Sequence, residues 1–150
     1  MSGLKDARGK AARAFSDYIR FRDCLATTGT IGWGVCISCG RRVSFNEFQA
    51  GHLVPGRKNA ILFDEDGCNG QCVWCNQFLE GNTDAYHDNL VDKIGDDRVR
   101  AVYERAKQVV KYHIHDYQET ETIYKQKTKE LFNGNSGTKG ETGEDRTASL

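Results

Sequence analysis

Apolar residues return at helical intervals near the start of the chain. Ala11, Ala12, Phe15, Tyr18, Ile19 and Arg22 share one face while bases occupy the other, which predicts an amphipathic helix over residues 5–24. The run TTGTIG at 27–32 breaks it. Segments 33–36 and 42–45 then flank a Cys36-Ile37-Ser38-Cys39 turn, and 48–54 reads as a strand containing His52. Residues 55–59, PGRKN, form a turn or loop, the apolar run 60–63 is a candidate second strand, and the acidic loop 64–67 leads to Cys72-Val73-Trp74-Cys75. A short helix is expected from Cys75, ending near Gly81, where glycine can cap it. Three further helices are expected, at 83–94, 96–113 and 117–132; Val99, Val102, Tyr103, Ala106, Val109 and Val110 carry the second. Beyond Phe132 apolar side chains almost vanish, so 133–150 is expected to be a disordered tail. The pattern predicts an α+β fold.

Length fits one domain: 150 residues suffice for a core, and a metal clip would help a unit of this size. No apolar stretch is long enough to span a membrane and the first residues lack a secretory signal, so a cytoplasmic protein is expected. A reducing compartment makes paired cysteines metal ligands rather than disulfides. Net charge is zero but unevenly distributed. Residues 1–60 hold ten Lys and Arg against four acids, and 61–100 hold nine acids against three bases. The positive half could track phosphates, with Arg20, Arg22, Arg41, Arg42, Arg57 and Lys58 as the proposed contacts; the plainer alternative is a solvated surface.

The chemistry begins with the two CxxC pairs. A two-residue gap lets one tight turn aim two sulfurs at one ion, so Cys36, Cys39, Cys72 and Cys75 are expected to form a closed structural zinc site, against the alternative of four buried thiols. Cys24 and Cys68 are read as small buried thiols. Between the pairs, His52 follows Gly51 on a strand, and Asn76 follows Cys75 at a helix start. The order strand, loop, strand, helix is that of the HNH, or ββα-metal, nuclease site. There a strand histidine deprotonates water, a task suited to imidazole with its ordinary pKa near 6.5, and a helix residue directs a hard divalent cation, Mg2+ or Mn2+, onto the scissile phosphate. Trp33 and Trp74 could stack on unpaired bases, but core packing is the expectation for both.

The residues that carry a family resemblance are the run Cys36-Ile-Ser-Cys-Gly, then Ala50-Gly-His, then Gln71-Cys-Val-Trp-Cys-Asn-Gln, then Gly81-Asn and Tyr86, ending at Ile94-Gly95. Over about residues 10–95 the chain resembles the NinG/Rap family of lambdoid-phage recombination nucleases, and its second cysteine pair followed by Asn is similar to that of phage endonuclease VII. The resemblance implies a zinc-stabilised HNH-like core; with the elements read above, a single domain is expected over 1–132, made of the helix at 5–24, that core at 33–81 and helices at 83–132. It implies an endodeoxyribonuclease selective for branched DNA such as Holliday junctions and D-loops, working in a bacterial host's cytoplasm. By that likeness Cys36, Cys39, Cys72 and Cys75 hold zinc, His52 is the base and Asn76 ligates the catalytic metal. Two positions depart from the usual HNH pattern. Where many such enzymes carry a metal-binding Asp before the histidine, this chain has Gly51, leaving Asp64, Asp66, Glu80 and Asn69 as candidate oxygen donors. Where the usual pattern has a loop-orienting Asn, this chain has Gly67, with Asn69 or Asp66 as substitutes.

Branched DNA is recognised by shape and by phosphates on several arms. Two symmetric cuts in a junction imply a homodimer. The competing readings are a non-catalytic zinc module that binds DNA or a recombination partner, and a sequence-specific restriction or homing enzyme, which neutral charge and the lack of a recognition domain disfavour.

Overall fold

The computed structural model describes the backbone of residues 2–149 and the side chains of 3–135. It is a mixed α+β arrangement of helices around two small antiparallel sheets. Helix α1, Ser2–Thr28, extends beyond the expected 5–24 at both ends and buries Ala7, Ala11, Ala14, Phe15 and Ile19 along one stripe. Ala11, Phe15 and Ile19 of the expected face lie in it, whereas Ala12, Tyr18 and Arg22 are only half-buried and Ala7 and Ala14 join it instead. Its last turn is finished by side chains, with the Thr27 and Thr28 hydroxyls donating to the carbonyls of Asp23 and Cys24.

Strands β1, Trp33–Val35, and β2, Arg42–Ser44, pair as the hairpin that carries the first cysteine pair. Strands β3, Phe48–His52, and β4, Cys68–Cys72, form the second sheet, with Phe48 opposite Cys72 and His52 opposite Cys68. The second strand therefore lies later than the expected 60–63, which holds instead a 3-10 turn, Asn59–Ile61. Ile61 and Leu62 are adjacent and both buried, a demand that a turn meets and an alternating strand does not. Strand β4, CNGQC, is buried on both faces and so carries no alternation in its sequence.

The two hairpins close on one ring. Phe48 is fully buried, and a Cβ at Gly34 or at Gly70 would fall within 3 Å of it, so both glycines are there to let backbone lie against the aromatic. Cys24, Cys36, Cys72 and Cys75 surround the same ring.

Helix α2, Thr83–Ile94, matches expectation, and helix α3, Asp96–Ala106, stops short of the expected residue 113. Val109 is fully exposed, so the apolar pattern that carried the expected helix past Ala106 has no core to face. Tyr86, Leu90, Val99 and Val102 pack with Leu53 under β3. Helix α4, Ile114–Ser149, begins before the expected 117 and does not end at Phe132; side chains of 136–150, where most of the expected tail falls, lie outside the described residues. Tyr124 packs edge-on to Phe15 at 4.8 Å, and Tyr124 and Lys127 both donate to Glu65, fastening α4 to α1 and to the loop before β4. Among the described residues no helix is long and apolar enough to cross a membrane.

Candidate functional site

The β1–β2 turn and the turn after β4 bring their cysteines together. The Sγ atoms of Cys36, Cys39, Cys72 and Cys75 all lie within 4.8 Å of one another, and those of Cys39 and Cys72 are 3.7 Å apart. Four Zn–S bonds of ~2.3 Å in a tetrahedron place sulfurs ~3.8 Å apart, so these cysteines could hold one zinc ion. Each pair is built alike. The Cys39 amide donates to Cys36 Sγ at 3.5 Å and the Cys75 amide to Cys72 Sγ at 3.4 Å, so backbone dipoles favour negative sulfur in both turns. Cys24 and Cys68 stand apart as fully buried thiols, as expected; burial pushes Cys24 up to about 11 and raises Cys68 as well.

Beside this cluster opens a cleft of about 410 Å3 whose walls include Ala50, His52, Arg57, Asn76 and Glu80. His52 ends β3, with Nε2 3.0 Å from the Leu62 carbonyl oxygen. A carbonyl only accepts, so Nε2 carries the proton and the basic lone pair sits on Nδ1. Burial pulls the His52 pKa below 6.5, against the opposing influence of the Leu62 carbonyl and Asp64. The imidazole is therefore neutral at pH 7.

Asn76 stands in a five-residue π turn, Trp74–Phe78, where a short helix from Cys75 to near Gly81 was expected. The wider turn keeps Cys75 inward for the sulfur cluster while Asn76 reaches the cleft. Asn76 Nδ2 donates to Gln49 Oε1 at 2.8 Å, which turns Asn76 Oδ1 toward β3, 3.1 Å from where a Cβ at residue 51 would stand. That same Cβ would overlap the amide oxygen of Gln71, which is why residue 51 is glycine. Gln71 is fully buried; its Nε2 donates to Ser38 Oγ at 2.8 Å and to the Gly81 carbonyl at 2.7 Å. Its Oε1 and Thr128 Oγ1 are the buried side-chain polar atoms without a hydrogen-bond partner among the described residues.

The other expected site residues divide sharply. Asp64 and Asp66 do not line the cleft: each is held in an ion pair by helix α3, Asp64 with Arg105 and Asp66 with Arg98, and the Arg98 hydrogen bonds hold the Asp66 carboxyl below its usual range. Neither is placed to be the missing oxygen donor. Asn69, expected among the catalytic residues, is buried, donates to the Asp66 carbonyl and to Tyr86 Oη, and accepts from Lys93. Tyr86 in turn donates to the Gly51 carbonyl at 2.6 Å, so Asn69 reaches His52 only by steadying the backbone before it. Glu80 does line the cleft.

Among the proposed phosphate contacts, Arg20 and Arg22 are turned inward. Arg20 donates to the carbonyls of Phe45, in the turn before β3, and of Phe48, the first residue of β3, and Arg22 donates to the Glu65 and Cys68 carbonyls and to Asp23. Both bind backbone that an unpaired strand edge and a loop would otherwise leave unsatisfied. Arg41, Arg42, Arg57 and Lys58 are exposed, and Arg57 edges the cleft. Arg57 and Glu80 both adopt φ of 50°, an uncommon conformation for side-chain-bearing residues that here falls twice on one cleft.

Trp33 and Trp74, expected in the core, are 43% and 54% exposed. Trp74 stacks on exposed Phe78 one turn away, and Arg42 lies 4.7 Å over the Trp33 ring. Trp33 faces outward because its neighbour Gly34 takes the inward position against Phe48, and Trp74 because its neighbour Cys75 does.

Sequence reasoning missed Gln49, Gln71 and Asp23. Gln49 orients Asn76, and Asp23, 3% exposed, accepts the Gly70 amide at 2.7 Å together with Arg22. An Arg-Asp pair followed directly by Cys24, at the end of an amphipathic helix, is the signal that could have found Asp23.

The chain matches the family model described as "Bacteriophage Lambda NinG protein" over residues 2–134. It is 32% identical over 102 residues to the protein ninG of Escherichia phage 933W, covering 67% of this chain and 50% of the relative. The protein ninG of Escherichia phage lambda is also 32% identical over 102 residues, covering 67% and 49%, and that of Salmonella phage P22 is 39% identical over 61 residues, covering 40% and 30%. The chain spans about half the length, or less, of these relatives. No solved structure matches it.

Proposed function

This chain belongs to the NinG family of lambdoid phages, and from that premise we propose that it is a metal-dependent endonuclease of the HNH type that cuts branched DNA such as Holliday junctions and D-loops. The observation carrying this reading is the neutral His52, with Nε2 on a backbone carbonyl and Nδ1 left as a base, sharing one cleft with Asn76 beside a four-cysteine clasp.

The donor sets suit two different ions. Four thiolates suit zinc in a closed structural role. The amide oxygen of Asn76 suits Mg2+ or Mn2+, hard ions that keep water and phosphate in their remaining positions. When bound, such an ion would neutralise charge on the phosphate and on the departing 3′ oxygen. His52 Nδ1 takes a proton from the attacking water as its oxygen bonds to phosphorus and the P–O3′ bond breaks, leaving a 5′ phosphate and, after protonation by solvent, a 3′ hydroxyl. The Leu62 carbonyl accepts from Nε2 throughout, so it steadies the imidazolium that forms. Arg57 at the cleft rim pairs with a nonbridging phosphate oxygen. The exposed Trp33–Arg42 and Trp74–Phe78 pairs offer flat surfaces for unstacked bases, such as a branch point presents. A homodimer would supply the paired cuts of junction resolution.

The test is cleavage of linear duplex, flap, D-loop and four-way DNA with and without Mg2+ or Mn2+, by wild type and His52→Ala. Metal-dependent cutting of branched substrates that is lost in His52→Ala, with zinc content retained, is expected. The outward aromatics also favour a zinc module that binds DNA without cutting it; equal binding by both proteins and no cleavage with any divalent ion would establish that reading instead.

A further inference from the structure

Gly51 poses a question of supply: a hard cation needs oxygens, and the position that commonly contributes a carboxylate has no side chain. Around that gap two amide oxygens converge. Asn76 Oδ1 stands 3.1 Å from the place a residue-51 Cβ would take, and Gln71 Oε1 fills the place itself. Mg2+ prefers hard oxygen donors of this kind, and both amide oxygens approach the one point.

The orientation of the Gln71 amide is settled by its neighbours. Its Nε2 faces the Gly81 carbonyl at 2.7 Å, so a flipped amide would set two oxygens against each other. Oε1 is consequently the atom turned toward Gly51, and among the described residues it has no hydrogen-bond partner although the residue is 0% exposed; Gln71 itself does not line the cleft, and its oxygen meets the site at Gly51, next to the cleft-lining Asn76. A buried acceptor without a partner costs ~1–3 kcal/mol, so its retention calls for an explanation. Each amide also has its nitrogen tethered, Gln71 by Ser38 and Gly81, Asn76 by Gln49, which leaves the oxygens as the ends presented to one spot.

We infer that Gln71 Oε1 is the second protein ligand of the catalytic cation, taking the role a carboxylate at residue 51 would have and reaching the metal from β4 instead of β3. The inference rests on the nuclease reading above and names the donor that reading leaves open. Two neutral amides hold a cation weakly by themselves, with the exposed Glu80 and a DNA phosphate contributing the negative charge.

The experiment is nuclear magnetic resonance of the zinc-loaded, 15N-labelled full chain titrated with Mg2+ and then with Mn2+, which needs no substrate and no activity. The side-chain amide signals of Gln71 and Asn76 are expected to shift along one saturation curve with Mg2+ and to broaden away with trace Mn2+, with Asn89, bonded to the first cysteine turn, unmoved. Gln71→Met, which keeps the volume and removes the oxygen, is expected to weaken Mg2+ affinity at least tenfold at unchanged zinc content. If Asn76 responds and Gln71 does not, Gln71 is no ligand and the nuclease reading stands. If neither responds at any Mg2+ concentration, Gln71 is no ligand, and the nuclease reading is decided separately by the cleavage assay with His52→Ala. Should Gln71→Met not fold, the wild-type signals alone decide.

Discussion

Replacing Asp23 by alanine should cost the fold about 3 kcal/mol without touching a residue of the cleft. The carboxylate is buried and does two jobs. It accepts the Gly70 amide at 2.7 Å, in the strand residue just before Gln71, and it pairs with Arg22 at 2.8 Å. Removing one member of a buried pair costs about 3–5 kcal/mol, because the partner is left uncompensated. The low end applies here, since Arg22 keeps the Glu65 and Cys68 carbonyls, each at 2.9 Å, as acceptors. Lys93, at 3.6 Å and partly exposed, adds little. Asp23→Asn retains an acceptor for the Gly70 amide while losing the charge, so about 1–2 kcal/mol is expected for it. Against a typical total of about 5–15 kcal/mol, both variants should fold at 25 °C. The assay is urea unfolding at fixed zinc, with free energies extrapolated to water. An alanine variant within about 1 kcal/mol of wild type would refute the reasoning; an asparagine variant as costly as alanine would show that charge, not the amide acceptor, is what Gly70 and its neighbours need.

Three further outcomes follow from the described contacts. Because burial holds His52 below 6.5, the acid limb of a cleavage-rate profile should lie below that pH; the unfolded chain takes up that proton first, so stability should fall as pH drops from 6.5 through the folded value, and His52→Gln should flatten this part of a pH-stability curve. Stripping zinc with a chelator should lower the unfolding temperature cooperatively and loosen both hairpins, read by hydrogen exchange at β1 and β4, with recovery on adding zinc back. Burial works against ionisation of Glu65, yet hydrogen bonds from Lys127 and Tyr124 hold its carboxyl below the usual range; Glu65→Gln should cost about 1 kcal/mol, or about 2–4 °C, and should remove the part of acid destabilisation that appears as pH falls below 4.5 through the folded value.

Much of this was legible from residue types at fixed spacing. Two CxxC pairs announce four converging sulfurs because the chemistry demands that gap, and α1 announces itself because its buried alanines and aromatics repeat at the helical period. What failed to show was anything set by partners distant in the chain. Asp64 and Asp66 look like available ligands until Arg105 and Arg98 are seen to hold them, and Arg20 and Arg22 look like phosphate contacts until their backbone acceptors appear. Strand β4 hides because burial on both faces erases alternation. Gln71 hides for another reason: a glutamine beside a cysteine carries no pattern, and only the place its amide oxygen takes over Gly51 gives it meaning.

The sulfur clasp is lopsided. Cys36, Cys72 and Cys75 are buried, whereas Cys39 is exposed. Oxidants and competing chelators thus have one door: with zinc bound there, Cys39 would be the first sulfur attacked, and its three fellows would stay sheltered until that bond had gone. A zinc ion held by these four sulfurs would be guarded on the side where it braced the strands and vulnerable on the side where repair, by a reductant and fresh zinc, could also enter.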